Sequence, residues 1–291
     1  MMAQQMPVPQ NVIILAHPGM PDAVQDLDMV KTALLKNGVK TAAAPLSDNK
    51  IHKRIAAGEF DLAIVLGGDG AILRAGHLCA GSDTPILGIN YGRFGFLIEL
   101  QRQNWKEYIP RMMRGDYHYE SRMMLCSELW RGEEKINEWE VLNEVVVCRG
   151  QLVKPLHITA YVNGEFLTTY VADGLIAATP TGSTAYALAA GGPILPPELR
   201  NILLVPVAPH LSVNRAIILA EGTRVSMTAH SDHQAVLSVD GQNPVLVTDN
   251  DRVDVYAGDH SLRFIRFLGG GYFYRSLMSH MEQNPATGLT R

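Results

Sequence analysis

Gly67-Gly68-Asp69-Gly70 sets one carboxylate among three glycines, directly after the apolar run Leu62 to Leu66 and before a helical pattern. Glycine lets a backbone take positive φ and come close to a ligand. The carboxyl end of a parallel strand that opens a helix is where open α/β sheets bind phosphates. An acid in such a loop repels a phosphate, so its presence asks for a second role. Asp69 either takes a proton from, or orients, a hydroxyl that attacks phosphorus, or it only caps the helix while the glycines turn the chain. Arg74, one turn into that helix, meets an anion or solvent; the sequence by itself favours solvent.

A second stretch starts at Asp173-Gly174-Leu175 and continues as Thr179-Pro180-Thr181-Gly182-Ser183-Thr184-Ala185-Tyr186. A strand runs into a turn rich in hydroxyls, then into a helix of small residues expected over Gly182 to Ala190. Backbone N–H groups and hydroxyls at a helix start form a polar cradle for ribose, amide or phosphate. The alternative is a well-capped helix packed tightly on a sheet, although capping needs one hydroxyl and not four. A third signal is Asn143-Glu144, two polar residues inside an apolar run read as one strand, Val141 to Cys148. Strand alternation sends them to opposite faces, and a buried one needs a hydrogen-bonding partner, either a ligand or a neighbouring loop.

Other fingerprints are missing. The chain has no GxxxxGK[ST] phosphate loop, no protein-kinase HRD or DFG set and no GxGxxG dinucleotide turn. His230 and His233 lie three apart with no cysteine or third histidine near them in sequence, which reads as surface rather than zinc.

These stretches need a scaffold, and the periodicity supplies one. Short apolar runs at Val12 to Ala16, Val39 to Ala44, Leu62 to Leu66 and Pro85 to Ile89 alternate with helical stripes over Asp22 to Asn37, Asp48 to Ala57, Ala71 to Cys79 and Trp105 to Arg114. That alternation predicts a parallel sheet covered by helices. The first stripe carries Val24, Leu27, Val30, Leu34 and Leu35. Beyond Tyr117 strand-like runs follow one another, including separate ones at Arg252 to Tyr256 and Leu262 to Phe267, and Asn163-Gly164 is a hairpin signal. The fold class is therefore an α/β N-terminal domain with a parallel sheet, over 1–116, plus a β-rich C-terminal domain over 117–271. The segment 272–291 is expected to pack back on the first domain, with a helix from Tyr272 to Met281 and a frayed tail from Asn284.

The 291 residues carry a formal charge of −4 and 47% hydrophobic residues. That balance suits a globular protein and lacks the clustered Lys and Arg that nucleic acid demands. No apolar run approaches the ~18 residues of a membrane span, Met1 to Gln10 has no signal-peptide pattern, and three scattered cysteines suit a reducing compartment. The expectation is a cytoplasmic protein with no nucleic-acid or membrane partner.

Together these stretches closely resemble the NAD kinase family. The resemblance covers nearly the whole chain: GGDG at 67–70, INYGRFGFL at 89–97, NEVVV at 143–147, DGLIAATPTGSTAYALAAGGP at 173–193 and VDGQ at 239–242. It implies transfer of the γ-phosphoryl group of ATP to the 2′-hydroxyl of the adenosine ribose of NAD, which sits between the domains, in a homodimer or homotetramer. Carried over by motif, Asp69 looks like the catalytic base with Gly70 beside it, and Arg74 takes a position that is often basic. Asn143 and Glu144 look like the pair that grips NAD, and Lys154 like a later basic contact. Asp173 resembles the acid near the nicotinamide. Thr181, Gly182, Ser183, Thr184, Ala185 and Tyr186 resemble the segment that wraps the cofactor, and Gln242 a late contact. Ala71 and Phe94 depart mildly from the common Thr and Leu. Val171 replaces a basic residue found in some members, which leaves NAD against NADH open. ATP phosphates are expected on the backbone N–H groups of 67–71, with a divalent cation, Mg²⁺, arriving on ATP. Lipid kinases of the diacylglycerol type share a GGDG loop but lack the TPTGSTAY block. A silent NAD-binding regulator would keep the pocket and could dispense with Asp69.

Overall fold

The computed structural model describes residues 5–92, 95–210, 214–230, 232–269, 271, 273–275 and 277. Of the helix expected from Tyr272 to Met281, residues 273–275 and 277 are helical; its other residues, Phe94 and the tail from Asn284 lie outside the described residues. The chain forms two compact units, Met1–Ser121 with Leu262–Arg291, and Arg122–Ser261.

In the first unit, β1 (Asn11–Ala16), α1 (Pro21–Leu35), β2 (Lys40–Pro45), α2 (Asn49–Ala56), β3 (Leu62–Gly67), α3 (Asp69–Cys79), β4 (Ile86–Asn90), β5 (Leu100–Gln101) and α4 (Trp105–Met112) follow one another. The pairs β1–β2, β1–β3 and β3–β4 are all parallel. The strands β1 and β3 are buried along nearly their whole length, as expected of strands covered on both faces. With β2 on one side of β1 and β3 on the other, the order reverses between β1 and β3. That is the switch point at which open α/β sheets bind ligands beyond the strands' carboxyl ends.

The α1 stripe is rotated from its expected face. Ala23, Asp26, Val30 and Leu34 are buried, while Val24 and Leu35 are exposed. Asp26 is drawn inward by polar partners, the Tyr91 hydroxyl (3.1 Å) and Arg102 Nε (2.8 Å).

In the second unit the strands are antiparallel and mostly short. β6 (His118–Arg131, entering from the first unit), β7 (Glu134–Val141), β8 (Glu144–Arg149), β9 (Leu156–Val162), β10 (Glu165–Ala172) and β11 (Gly174–Ala178) come first. A 3₁₀ turn, Gly182–Thr184, and the one-turn helix α5 (Tyr186–Ala189) interrupt them. β12 (Asn201–Val207), β13 (Ile217–Ala220), β14 (Val225–His230), β15 (Ala235–Val239), β16 (Val245–Val247) and β17 (Arg252–Arg266) follow. One sheet runs β13-β12-β11-β8-β15-β16. The β9–β10 hairpin turns at Asn163 and Gly164, both at positive φ (52° and 85°), as a type I′ turn requires.

Three expectations differ here. β17 is one strand rather than two, and from Leu262 it belongs to the first unit, where Phe264 pairs in parallel with Ile86. The run Val141 to Cys148 is two strands with a bend at Leu142-Asn143. The helix over Gly182 to Ala190 is broken at Ala185, whose φ of −102° and ψ of −126° are not helical.

Candidate active site

At the carboxyl end of β3, the helix cap is Gly68, which has no side chain to cap α3. Asp69 is the first helical residue, so the reading of it as a cap is overturned. Its carboxylate is turned instead onto the loop after β4: the N–H of Phe96 donates to Oδ2 (2.8 Å) and that of Leu97 to Oδ1 (3.3 Å). A Cβ at Gly95 would lie 2.1 Å from Asp69 Oδ1, so only glycine lets the loop close over the carboxylate. A carboxylate accepts about four hydrogen bonds; these two fix its orientation.

The rest of the loop is built for close approach. A Cβ at Gly67 would sit 2.4 Å from Ala71 Cβ, whereas Gly70 is exposed with open space around it. The N–H of Ala71 is spent on the carbonyl of Gly68 (2.8 Å), which removes it from the set expected to meet phosphate. Arg74 is exposed. The switch point adds a segment the sequence reading passed over, His17 to Met20. The N–H of His17 donates to the Leu66 carbonyl (3.0 Å), and the His17 ring accepts from the N–H of Gly19 (3.1 Å). The signal was present, as a proline-glycine loop directly after the first buried strand.

Arg266 supports the Asp69 loop from behind. Only 2% exposed, it donates from Nη1 to the Leu97 carbonyl (2.9 Å) and from Nε and Nη2 to Glu120 Oε1 (3.2 and 2.9 Å). Glu99 accepts from the N–H groups of Phe267 and Leu268. Burial raises its pKa, against the pull of Arg266 and those two donors.

In the second unit the hydroxyls are braces. Thr179 Oγ1 donates to the Leu142 carbonyl (2.6 Å) and accepts from the N–H of Gly182 (3.0 Å). Ser183 Oγ donates to the Pro180 carbonyl (2.6 Å) and accepts from the N–H of Leu195 (2.9 Å). Thr184 donates to the Thr181 carbonyl, and Thr181 accepts from Arg122 Nη1. Thr179, Thr181, Gly182 and Ser183 are buried; Thr184, Ala185 and Tyr186 are the accessible part. The expected hydroxyl cradle is therefore corrected: the hydroxyls of Thr179, Ser183 and Thr184 shape the loop, and of its last residues Tyr186 is the exposed one.

That loop is locked to Asn143. The N–H of Thr179 donates to the Asn143 carbonyl (2.8 Å), and a Cβ at Gly182 would lie 2.1 Å from the same oxygen. Asn143 lies in the bend and is half-buried; Glu144 opens β8 and is buried. Burial, with the Asp240 charge beside it, raises the Glu144 pKa to about 8 against a hydrogen bond from the Tyr186 N–H, and Oε2 has no partner. Thus Asn143, Glu144, Thr181 to Tyr186 and the Asp240-Gly241-Gln242 turn come together. Gln242 is exposed there.

Asp173 is not part of this group. β11 pairs antiparallel with β8, Gly174 opposite Cys148 and Ala178 opposite Glu144. Asp173 therefore lies at the other end of β8, roughly 15 Å away at ~3.3 Å per residue, in an ion pair with Arg149 (3.0 Å). Lys154 is exposed beyond the same end. It lines a hollow of about 450 Å³ with His157, His230, Asp232 and His233. Here a third histidine is near after all, because β9–β14 pairing sets His157 opposite His230. His233 is not a surface residue, with 6% of its side chain exposed. Among the described residues, no group of three or more His, Cys, Asp or Glu is arranged to hold a metal.

Comparison with known proteins follows this division. The model of the ATP-NAD kinase N-terminal domain matches residues 20–117, and that of the ATP-NAD kinase C-terminal domain matches 142–267. The chain is 36% identical over 251 residues to an NAD kinase of Chloroflexus aurantiacus, covering 86% of this chain and 91% of that one. It is 41% identical over 226 residues to an NAD kinase of Heliobacterium modesticaldum, covering 77% and 80%. The fold is similar to the crystal structure of yeast NADH kinase complexed with NADH (TM-score 0.83, 24% identity, 97% of this chain and 90% of that one). It is also similar to an NAD kinase from Archaeoglobus fulgidus in complex with ATP (TM-score 0.77, 22% identity, 94% and 100%).

Proposed function

The chain belongs to the NAD kinase family, and from that premise we propose that it transfers the γ-phosphoryl group of ATP to the 2′-hydroxyl of the adenosine ribose of NAD, giving NADP and ADP. The observation that carries the reading is Asp69, a carboxylate just past the end of a parallel strand that is oriented by two backbone N–H groups, with Gly68 rather than Asp69 at the helix cap. A ribose hydroxyl is a weak nucleophile at neutral pH, and an oriented carboxylate that takes its proton as the O–P bond forms contributes about 10²- to 10⁴-fold. Phosphoryl transfer otherwise asks for alignment and charge neutralisation. The exposed backbone at Gly70 suits the donor phosphates, with Arg74 one turn further on. A divalent cation such as Mg²⁺, carried on ATP, would supply neutralisation of the phosphate charge.

In the second unit, Asn143, Glu144, Thr184 to Tyr186 and Gln242 hold NAD, on the wall braced by Thr179 and Ser183. Asp173 and Lys154 serve the far end of that dinucleotide. We place the reaction in the cytoplasm, a reading supported by three free cysteines, one of them (Cys79) with its thiol pushed up to about 12 by burial. The assembly is a homodimer or homotetramer. Among the described residues no helix is long and apolar enough to cross a membrane. Incubation of purified protein with NAD, ATP and Mg²⁺ is expected to yield NADP by enzymatic cycling; no NADP from folded protein, with phosphorylation of diacylglycerol instead, would move the chain to lipid-kinase chemistry.

A further inference from the structure

The bend between β7 and β8 carries the pair that the proposed function assigns to NAD, and its geometry comes from a residue outside it. Three consecutive backbone N–H groups converge on one carboxylate. Leu142 donates to Asp240 Oδ2 (2.7 Å), and Asn143 and Glu144 both donate to Oδ1 (2.8 and 2.9 Å). The N–H of Asp240 returns to the Glu144 carbonyl (3.0 Å). Asp240 itself sits at φ +46°, a left-handed conformation that aspartate tolerates better than most residues. The carbonyls of Leu142 and Asn143 are taken by Thr179. The backbone polar groups of the bend are thus tied down from two sides, and the pair has one place to stand.

We propose that Asp240 is a positioning residue for NAD recognition: its carboxylate fixes the Asn143-Glu144 backbone, and its charge governs the state in which the Glu144 carboxyl meets the ligand. This rests on the reading that the pair binds NAD. The groups set against the Glu144 side chain are the Asp240 carboxylate, from the β15–β16 connection, and the N–H of Tyr186, from α5. Both burial and Asp240 favour the protonated carboxyl, which titrates at about 8. Below that pH its O–H is a donor; above it the group can only accept. The Oε2 atom, buried without a partner, is the atom left for the ligand. Removing the Asp240 charge makes Glu144 easier to ionise, so the pH at which NAD affinity changes must move down.

The test is NAD affinity by calorimetry from pH 6 to 9, with KM for ATP measured alongside. Asp240→Asn keeps the size, but its amide points an N–H at an N–H. It is expected to weaken NAD binding roughly tenfold, as lost charge-assisted hydrogen bonds do, to lower the midpoint by about one pH unit, and to leave KM for ATP within twofold. Glu144→Gln is expected to abolish the pH dependence in either background, and this arm is read in the wild-type chain as well. Should Asp240→Asn not fold, Asp240→Ser, which keeps one oxygen in the turn, is judged by the same two readouts. Weaker binding with an unmoved midpoint would reduce Asp240 to a structural brace and overturn the proposal, as would unchanged NAD affinity in the folded variant. Asn143→Ala separates the readings: if it leaves NAD binding intact, the assignment of the pair fails, whatever Asp240 does.

Discussion

At the start of α3, Gly70 leaves the backbone open, and the one acidic side chain is held by a loop from elsewhere in the unit. Between β11 and α5, the hydroxyls of Thr179, Ser183 and Thr184 are turned inward onto carbonyls and N–H groups, and the glycine is walled in by Asn143. Glycine therefore means room at Gly70 and contact at Gly182. The physical difference is demand. On the proposed reading, a donor loop must admit charged phosphates to its N–H groups, whereas a recognition wall must keep its shape while a large ligand comes and goes.

Of the two glycines, Gly182 is the more sensitive. Gly182→Ala puts a methyl into the Asn143 carbonyl and is expected to cost ~3 kcal/mol, the scale of overpacking a rigid contact. Loss of NAD binding should accompany it, with both read by thermal unfolding and calorimetry. Equal stability to the wild type would mean that the two loops are not locked together. Arg266→Met takes the guanidinium from Glu120 and the Nη1 donor from the Leu97 carbonyl, and is expected to cost a similar ~3 kcal/mol. The double change Arg266→Met/Glu120→Gln should restore part of that stability but not turnover, because the loop that orients Asp69 stays slack.

Next in size, Asp173→Ala should weaken NAD binding several-fold more than ATP binding in separate titrations; equal losses would erase the division between units. Glu144→Gln sharpens it by pH. A carboxyl whose folded pKa is raised to about 8 holds its proton between 4.5 and 8 while the unfolded chain has lost it. Its contribution to stability is thus present at low pH and declines as pH climbs from 4.5 to 8. The variant should therefore melt a few degrees above the wild type at pH 8.5 and close to it at pH 5. The smallest effect belongs to Gly70→Ala. With open space at that position, melting should stay within about 2 °C while KM for ATP rises, since alanine suits a helix better than glycine.

The same contrast explains what the residues disclosed. The parallel sheet was legible because β1, β3 and β4 are runs of apolar residues buried on both faces, and the Asn163-Gly164 turn because few other pairs accept two positive φ values. β7 was not: Glu134 to Val141 is charged and half-exposed, and only its pairing with β6 makes it a strand. β17 reads as two because Gly258-Asp259-His260-Ser261 looks like a turn. In the structure Gly258 instead packs on the backbone of Leu125 and Cys126, which carries the strand through. Asp69 was singled out from its neighbours, but its partners are 27 and 28 residues away, beyond any local pattern. Asp240 was hidden for the same reason, its donors lying 96 to 98 residues back.

Asp69 is where the account is most exposed. Asp69→Asn turns an amide toward the Phe96 and Leu97 donors, yet the cap of α3 is Gly68, so the helix should persist. The decisive measurement is single-turnover formation of NADP by this variant beside its Kd for NAD, with folding followed by circular dichroism. We expect NAD binding within a few-fold of wild type and a rate lower by about 10²-fold or more. A folded variant that makes NADP at the wild-type rate would contradict the central claim that Asp69 takes the proton from the attacking hydroxyl.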